Sequence, residues 1–151
     1  MAIDDAMKRP HADTKILATD LSTNALRSGL AGRYDKKRLA DVPPGYRQRY
    51  FTRDRTAADA TFVVNEALKE LIRFRRLNLS CSPYPMRGPF DAIFCRNVMI
   101  YFDHEMRKKT LNEAYRLLKP GGYLFVGSAE SLMGIANKFD LVRPTIYKKP
   151  A

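Results

Sequence analysis

The chain has 151 residues, 45% of them apolar and 28% charged, and a formal net charge of +11, which suits one soluble domain with a sizeable core. No apolar run approaches the ~18 residues of a membrane helix, and the acidic start Met1-Ala-Ile-Asp-Asp5 has no apolar signal region, so an inserted or signal-led chain is not expected. Cys81 and Cys95 share no pairing motif and read as reduced thiols of a cytoplasmic protein, and His11 and His104 add no metal-ligand spacing, so no metal site is expected.

Residues 1–13 read as the tail of a helix, with Ala2, Ile3, Ala6 and Met7 on one face and Pro10 as its stop. Lys15–Asp20 is a short β-type run ending on an acid. Ser22 or Thr23 caps a helix through Ala25, Leu26 and Leu30, whose end Gly29 and Gly32 loosen. Arg33 to Arg55 holds eight basic residues (Arg33, Lys36, Lys37, Arg38, Arg47, Arg49, Arg53, Arg55) against Asp35, Asp41 and Asp54. Such a run is either a solvated face or a landing surface for nucleic acid, an anionic membrane or an acidic protein. Val42-Pro-Pro-Gly45 is a turn or loop. Tyr46–Arg53, Thr61–Leu68 and Leu71–Leu79 read as three successive extended segments, a small antiparallel subdomain over 46–79. Ser80–Gly88 is a loop.

Pro89–Phe102 begins as an apolar strand, Phe90 to Cys95, and is interrupted by Arg96 and Asn97. An unpaired cation inside a buried strand is costly, whereas a site at the strand's carboxyl end has a use for one. Asp103 caps a helix to Lys119, and Pro120-Gly121-Gly122 ends it. Tyr123–Gly127 is the next buried strand, and Phe139–Lys149 is a final strand pair hinged at Arg143-Pro144. Strands alternating with helices predict an α/β fold with a mainly parallel central sheet.

In open α/β sheets ligands sit outside the carboxyl ends of the strands. Three such ends carry polar residues: Asp20, the pair Asn78-Leu79, and Arg96-Asn97. A carboxylate can take both hydroxyls of a ribose, and a carboxamide can read an adenine edge. Alone, Asp20 reads more readily as a helix-initiating cap than as a ribose ligand, and Asn78 more readily as a turn residue. Together they favour a nucleoside cofactor. The glycine-rich turn that should precede the ribose acid by about 20 residues is not found in Met1–Thr19, so the chain is expected to hold part of such a site.

Phe90-Asp-Ala-Ile-Phe-Cys-Arg-Asn-Val-Met-Ile-Tyr-Phe102 resembles the signature of the chemotaxis receptor methyltransferases, the CheR family. Ala18-Thr-Asp20 with Leu26–Tyr34, Arg49-Tyr-Phe51, Asn78-Leu79, and Leu118-Lys-Pro-Gly-Gly122 through Gly127-Ser-Ala-Glu-Ser131 also resemble that family. The resemblance covers essentially the whole chain, without the family's amino-terminal helical domain and first cofactor motif. It implies a Rossmann-like class I adenosylmethionine-dependent methyltransferase sheet over 1–151, with an inserted β-subdomain at 46–79 through which such enzymes dock a receptor tail. It also implies S-adenosylmethionine as cofactor, S-adenosylhomocysteine as product, and glutamates of the cytoplasmic domain of chemoreceptors as substrate.

By the same resemblance Asp20 binds the ribose, Asn78 and Leu79 lie by the adenine, and Arg96, Asn97 and Tyr101 lie near the methionine moiety and the transfer centre. Arg96 and Tyr101 are the expected catalytic pair. They orient rather than abstract a proton, because a glutamate carboxylate is already ionised at neutral pH. Core packing, as for Met99, Ile100 and Phe102, is the other reading of Tyr101. Impaired activity is expected of a chain without the first motif. A docking module that has lost its cofactor is the alternative, and a nucleic-acid binder the weaker one. Sheet edges left open by an absent first strand suit a homodimer.

Overall fold

The computed structural model describes residues 1, 14–57, 59–132, 134–135 and 138–151; the helix expected over 1–13 lies outside them. The chain divides into two compact units, Met1–Asn78 and Leu79–Ala151.

In the first unit, Ile16–Asp20 forms β1. Ser22 then caps α1, Thr23–Ala31, its hydroxyl accepting the Ala25 N–H at 3.3 Å. Gly32 ends that helix in the left-handed region, with φ +61°, the backbone conformation a side chain disfavours. Gly29 has a different use from loosening the helix. A Cβ there would stand 2.5 Å from the Phe74 ring, so its absence lets α1 lie close to that ring.

An antiparallel sheet follows, but its membership differs from the expected 46–79. It consists of β2 (Arg33–Asp35), β3 (Phe51–Arg53) and β4 (Thr61–Val64), with β4 in the middle. Residues Pro44–Tyr50 are helix α2, not strand. Two prolines at its start preset helical φ, and Tyr46 and Tyr50 meet at helical spacing with ring centroids 6.0 Å apart. Asn65 stops β4 by capping α3, Glu66–Glu70, through a 3.0 Å bond from the Leu68 N–H. The third expected segment, observed as β5 (Ile72–Arg76), leaves the antiparallel group. It pairs in parallel with β1, Ile16 opposite Ile72 and Asp20 opposite Arg76.

In the second unit, β6 (Phe90–Cys95), α4 (His104–Leu117) and β7 (Leu118–Val126) make a strand–helix–strand unit with parallel strands. Asp103 caps α4 as expected, accepting the Met106 N–H at 2.8 Å. The helix stops at Leu117, before Lys119, because Leu118 turns extended and is buried beside Phe90. The closing pair is β8 (Asp140–Arg143) and β9 (Ile146–Lys148), giving the order β6-β7-β9-β8. Met99, Leu111, Leu124, Val126, Leu132 and Tyr147 belong to the core of this unit. The Lys149 ammonium donates to the carbonyls of Tyr115 and Leu118, both at 2.8 Å, at the carboxyl end of α4.

Candidate functional site

The Arg96–Phe102 stretch is a sharply folded bend at the carboxyl end of β6. Asn97 takes φ +58°, a region that asparagine tolerates better than most side chains. A short 3-10 turn, Met99–Tyr101, follows. This geometry leaves three successive N–H groups needing acceptors outside the strand ladder.

The carboxylate of Glu130 supplies them. Its Oε2 accepts the Asn97 N–H at 2.8 Å and the Gly127 N–H at 2.6 Å, and its Oε1 accepts Val98 and Met99 at 2.6 and 2.7 Å. Glu130 is only 3% exposed. Burial pushes its pKa up, but the four backbone N–H bonds outweigh that and hold the carboxyl below its ordinary value. On the other side of the bend, Arg107 Nε donates to the carbonyls of Met99 and Phe102, each at 3.0 Å.

The clamp sorts the side chains of the signature. Met99 is 2% exposed in the core, and Phe102 packs against it, whereas Tyr101 is 81% exposed. Core packing is therefore not the role of Tyr101. Arg96 and Asn97 are exposed too. Cys95, just before the bend, faces inward; burial and the nearby Glu130 charge push its thiol pKa up to about 11.

In the first unit, Asp20 and Asn78 stand at the carboxyl ends of neighbouring parallel strands. The Leu77 N–H donates to the Asp20 carbonyl at 3.0 Å, which brings Asn78 beside that end. Asp20 Oδ1 accepts the Ser22 N–H at 2.8 Å, yet the residue stays exposed, as does Asn78. Asp20 thus orders the turn into α1 while Ser22 is the cap proper. An exposed carboxylate and carboxamide at adjacent strand ends fit the hydroxyls and base of a nucleoside. Leu79, the first residue of the second unit, gives its carbonyl to the Tyr84 hydroxyl at 3.1 Å. The six expected site residues therefore fall into two groups on separate units, Asp20 with Asn78, and Leu79 with the bend's unit.

Sequence reasoning assigned no role to Glu130 or Arg107. A weak signal existed for each. Glu130 follows a glycine by three residues within a segment of the family resemblance, and Arg107 puts a cation in the first turn of a helix, where the dipole disfavours it. Among the described residues, no His/Cys/Asp/Glu group gathers that could hold a metal, and no helix is long and apolar enough to cross a membrane.

Comparison with known proteins agrees with the signature. Residues 1–148 match the family described as "CheR methyltransferase, SAM binding domain". Similar proteins include a chemotaxis protein methyltransferase of Vibrio parahaemolyticus, 45% identical over 85% of this chain and 46% of the relative. The Escherichia coli protein of the same name is 36% identical over 97% of this chain and 51% of its own length. That of Borreliella burgdorferi is 37% identical over 93% and 48%. The chain thus spans about half the length of these relatives. A crystal structure of a Bordetella parapertussis protein, 15% identical, covers 96% of this chain and 56% of its own with a TM-score of 0.52, a likeness of fold alone. With the parallel pairings of β1–β5 and β6–β7, these matches establish the expected Rossmann-like methyltransferase fold class.

Proposed function

As the chain belongs to the CheR methyltransferase family, through its SAM-binding domain, we propose that it takes part in methyl transfer from S-adenosylmethionine to glutamate carboxylates in the cytoplasmic part of chemoreceptors. The observation that carries this reading is the clamped bend, which keeps Met99 in the core and leaves Arg96 and Tyr101 at the surface beside a strand's carboxyl end.

S-adenosylmethionine, when bound, supplies an electrophilic sulfonium methyl. Asp20 holds the ribose hydroxyls, Asn78 and Leu79 the adenine, and Asn97 the methionine end. Arg96 and Tyr101 orient the incoming carboxylate. That carboxylate is ionised at neutral pH, its ordinary pKa being about 4.3, so no side chain has to remove a proton. Alignment is the main contribution left to the protein, and good alignment can supply up to about 7–11 kcal/mol of a barrier.

The antiparallel sheet and the basic Arg33–Arg55 run form the receptor-facing surface in this reading. All eight basic residues except Arg47 are exposed, and Arg33 pairs with Asp54. Such a surface suits glutamate-bearing receptor helices in the cytoplasm, with association that weakens as salt rises.

The deciding experiment combines cofactor titration calorimetry with base-labile methyl incorporation into a receptor cytoplasmic fragment. Asp20→Asn should weaken S-adenosylmethionine binding about 10–100-fold, the cost of a lost charged hydrogen bond. Arg96→Ala and Tyr101→Phe should lower transfer more than binding. Receptor binding without cofactor binding would replace this reading with the docking module. Retarded mobility on nucleic acid at physiological salt would favour the nucleic-acid reading.

A further inference from the structure

Glu130 joins the ends of two parallel strands. Gly127 directly follows β7, and Asn97, Val98 and Met99 follow β6; all four donate their N–H groups to this one carboxylate. A buried carboxylate without partners is costly, so this one persists because the bend satisfies it. The bend in turn depends on it, since its N–H groups have no ladder partners. Gly127 keeps the space clear: a Cβ there would stand 2.5 Å from Glu130 Oε2 and 2.7 Å from Asn97 Oδ1.

We propose that Glu130 is a positioning residue for methyl transfer, fixing the bend so that Arg96, Asn97 and Tyr101 leave β6 in one orientation. This rests on the methyl-transfer reading above. Glu130 touches no reacting atom in that reading; it acts through the backbone of the residues that do. Its reach and its charge are both used. Glutamine keeps the reach but turns an NH2 toward two N–H donors, so one of the two N–H pairs loses its acceptor. Aspartate keeps the charge but is one methylene short.

The test compares Glu130→Gln and Glu130→Asp with Glu113→Gln, which alters a second buried carboxylate of the same unit that does not touch the bend. In the full chain, amide NMR should show Glu130→Gln shifting residues 97–99 and 127 and changing the Asn97 coupling that reports its positive φ. Its kcat for receptor methylation should fall about 10–100-fold, the scale of a displacement near 1 Å, with KM for the receptor fragment unchanged. Glu130→Asp should lie between it and the wild type, and Glu113→Gln should keep kcat.

A Glu130→Gln protein with unshifted 97–99 amides, or with wild-type kcat, would overturn the proposal. So would a loss of kcat that Glu113→Gln reproduces, because stability alone would then explain it. If Glu130→Gln does not fold, Glu130→Asp is judged by the same two readouts. A wild-type chain that binds receptor but transfers no methyl group would sink the methyl-transfer reading, while the spectra still decide whether Glu130 holds the bend.

Discussion

The backbone N–H of Tyr84 donates to the Glu113 carboxylate at 2.7 Å across 29 residues of chain, and Arg116 holds the same carboxylate at 2.7 Å from its own helix. Arg116 also reaches the Tyr84 carbonyl at 3.3 Å. One turn of α4 thereby binds both backbone groups of a single loop residue. Glu113→Ala leaves the buried Tyr84 N–H without its acceptor and should cost about 1–3 kcal/mol. For a chain of this length that lowers the melting temperature by about 2–4 °C per kcal/mol. An unchanged melting curve would mean that water replaces the carboxylate without loss.

Acid should attack the two buried carboxylates together. The hydrogen bond from Arg116 is the largest influence on Glu113 and holds its pKa low; Glu130 is held low by its four N–H donors against the upward push of burial. Both folded values lie below the unfolded value of about 4.3. The stability they contribute is therefore present above about pH 4.3 and is lost as pH falls through the folded values. Urea midpoints should hold nearly level from about pH 7 to 5 and drop below about 4. Glu113→Ala should show a shallower drop, and an equally steep one would remove Glu113 from the explanation.

Two glycines should respond oppositely to alanine. At Gly127 the new methyl would collide with Glu130 and Asn97, and overpacking of this kind costs about 1–3 kcal/mol. At Gly45, within α2, a Cβ meets nothing within 4 Å, so the substitution should be neutral or stabilise by about 0.4–1 kcal/mol through the unfolded chain. Denaturant midpoints of the two variants check both signs at once.

Thiol labelling should separate the cysteines. Cys81 is exposed, whereas Cys95 is half-buried with its pKa pushed up to about 11. At about pH 8 a thiol reagent should modify one cysteine quickly and the second only in urea, because the thiolate is the reactive form. Rapid modification of both in the native chain would show that β6 opens readily.

The parts of the fold legible in the sequence were those with long patterns or strong punctuation. The cap residue Asp103 announced α4, and the apolar run Phe90–Cys95 announced β6. The antiparallel sheet was not legible in its membership. Its strands have three, three and four residues, too few to display alternation, and β2 joins it only because Gly32 turns the chain out of α1. Tyrosines at 46 and 50 look β-prone, but the prolines before them start a helix. At the site, Asp20, Asn78 and Arg96 were visible because polar side chains at strand ends stand out against apolar runs. Glu130 and Arg107 were assigned no role because they bind backbone groups, and residue spacing says nothing about which N–H or carbonyl lacks a partner.

The strand order of the second unit also bears on how the chain is made. Residues 146–148 form β9, which lies between β7 and β8 in the sheet, and Lys149 caps α4. During vectorial synthesis β7 is complete at Val126, before any residue of β9 is made. At about 5–20 residues per second, about 1–4 seconds then pass before β9 is complete at Lys148. Throughout that interval β7 lacks the neighbour it pairs with at residues 123–125, and the carbonyls at the end of α4 lack their cation. A nascent second unit therefore carries an unpaired edge of β7 until its final strand is made.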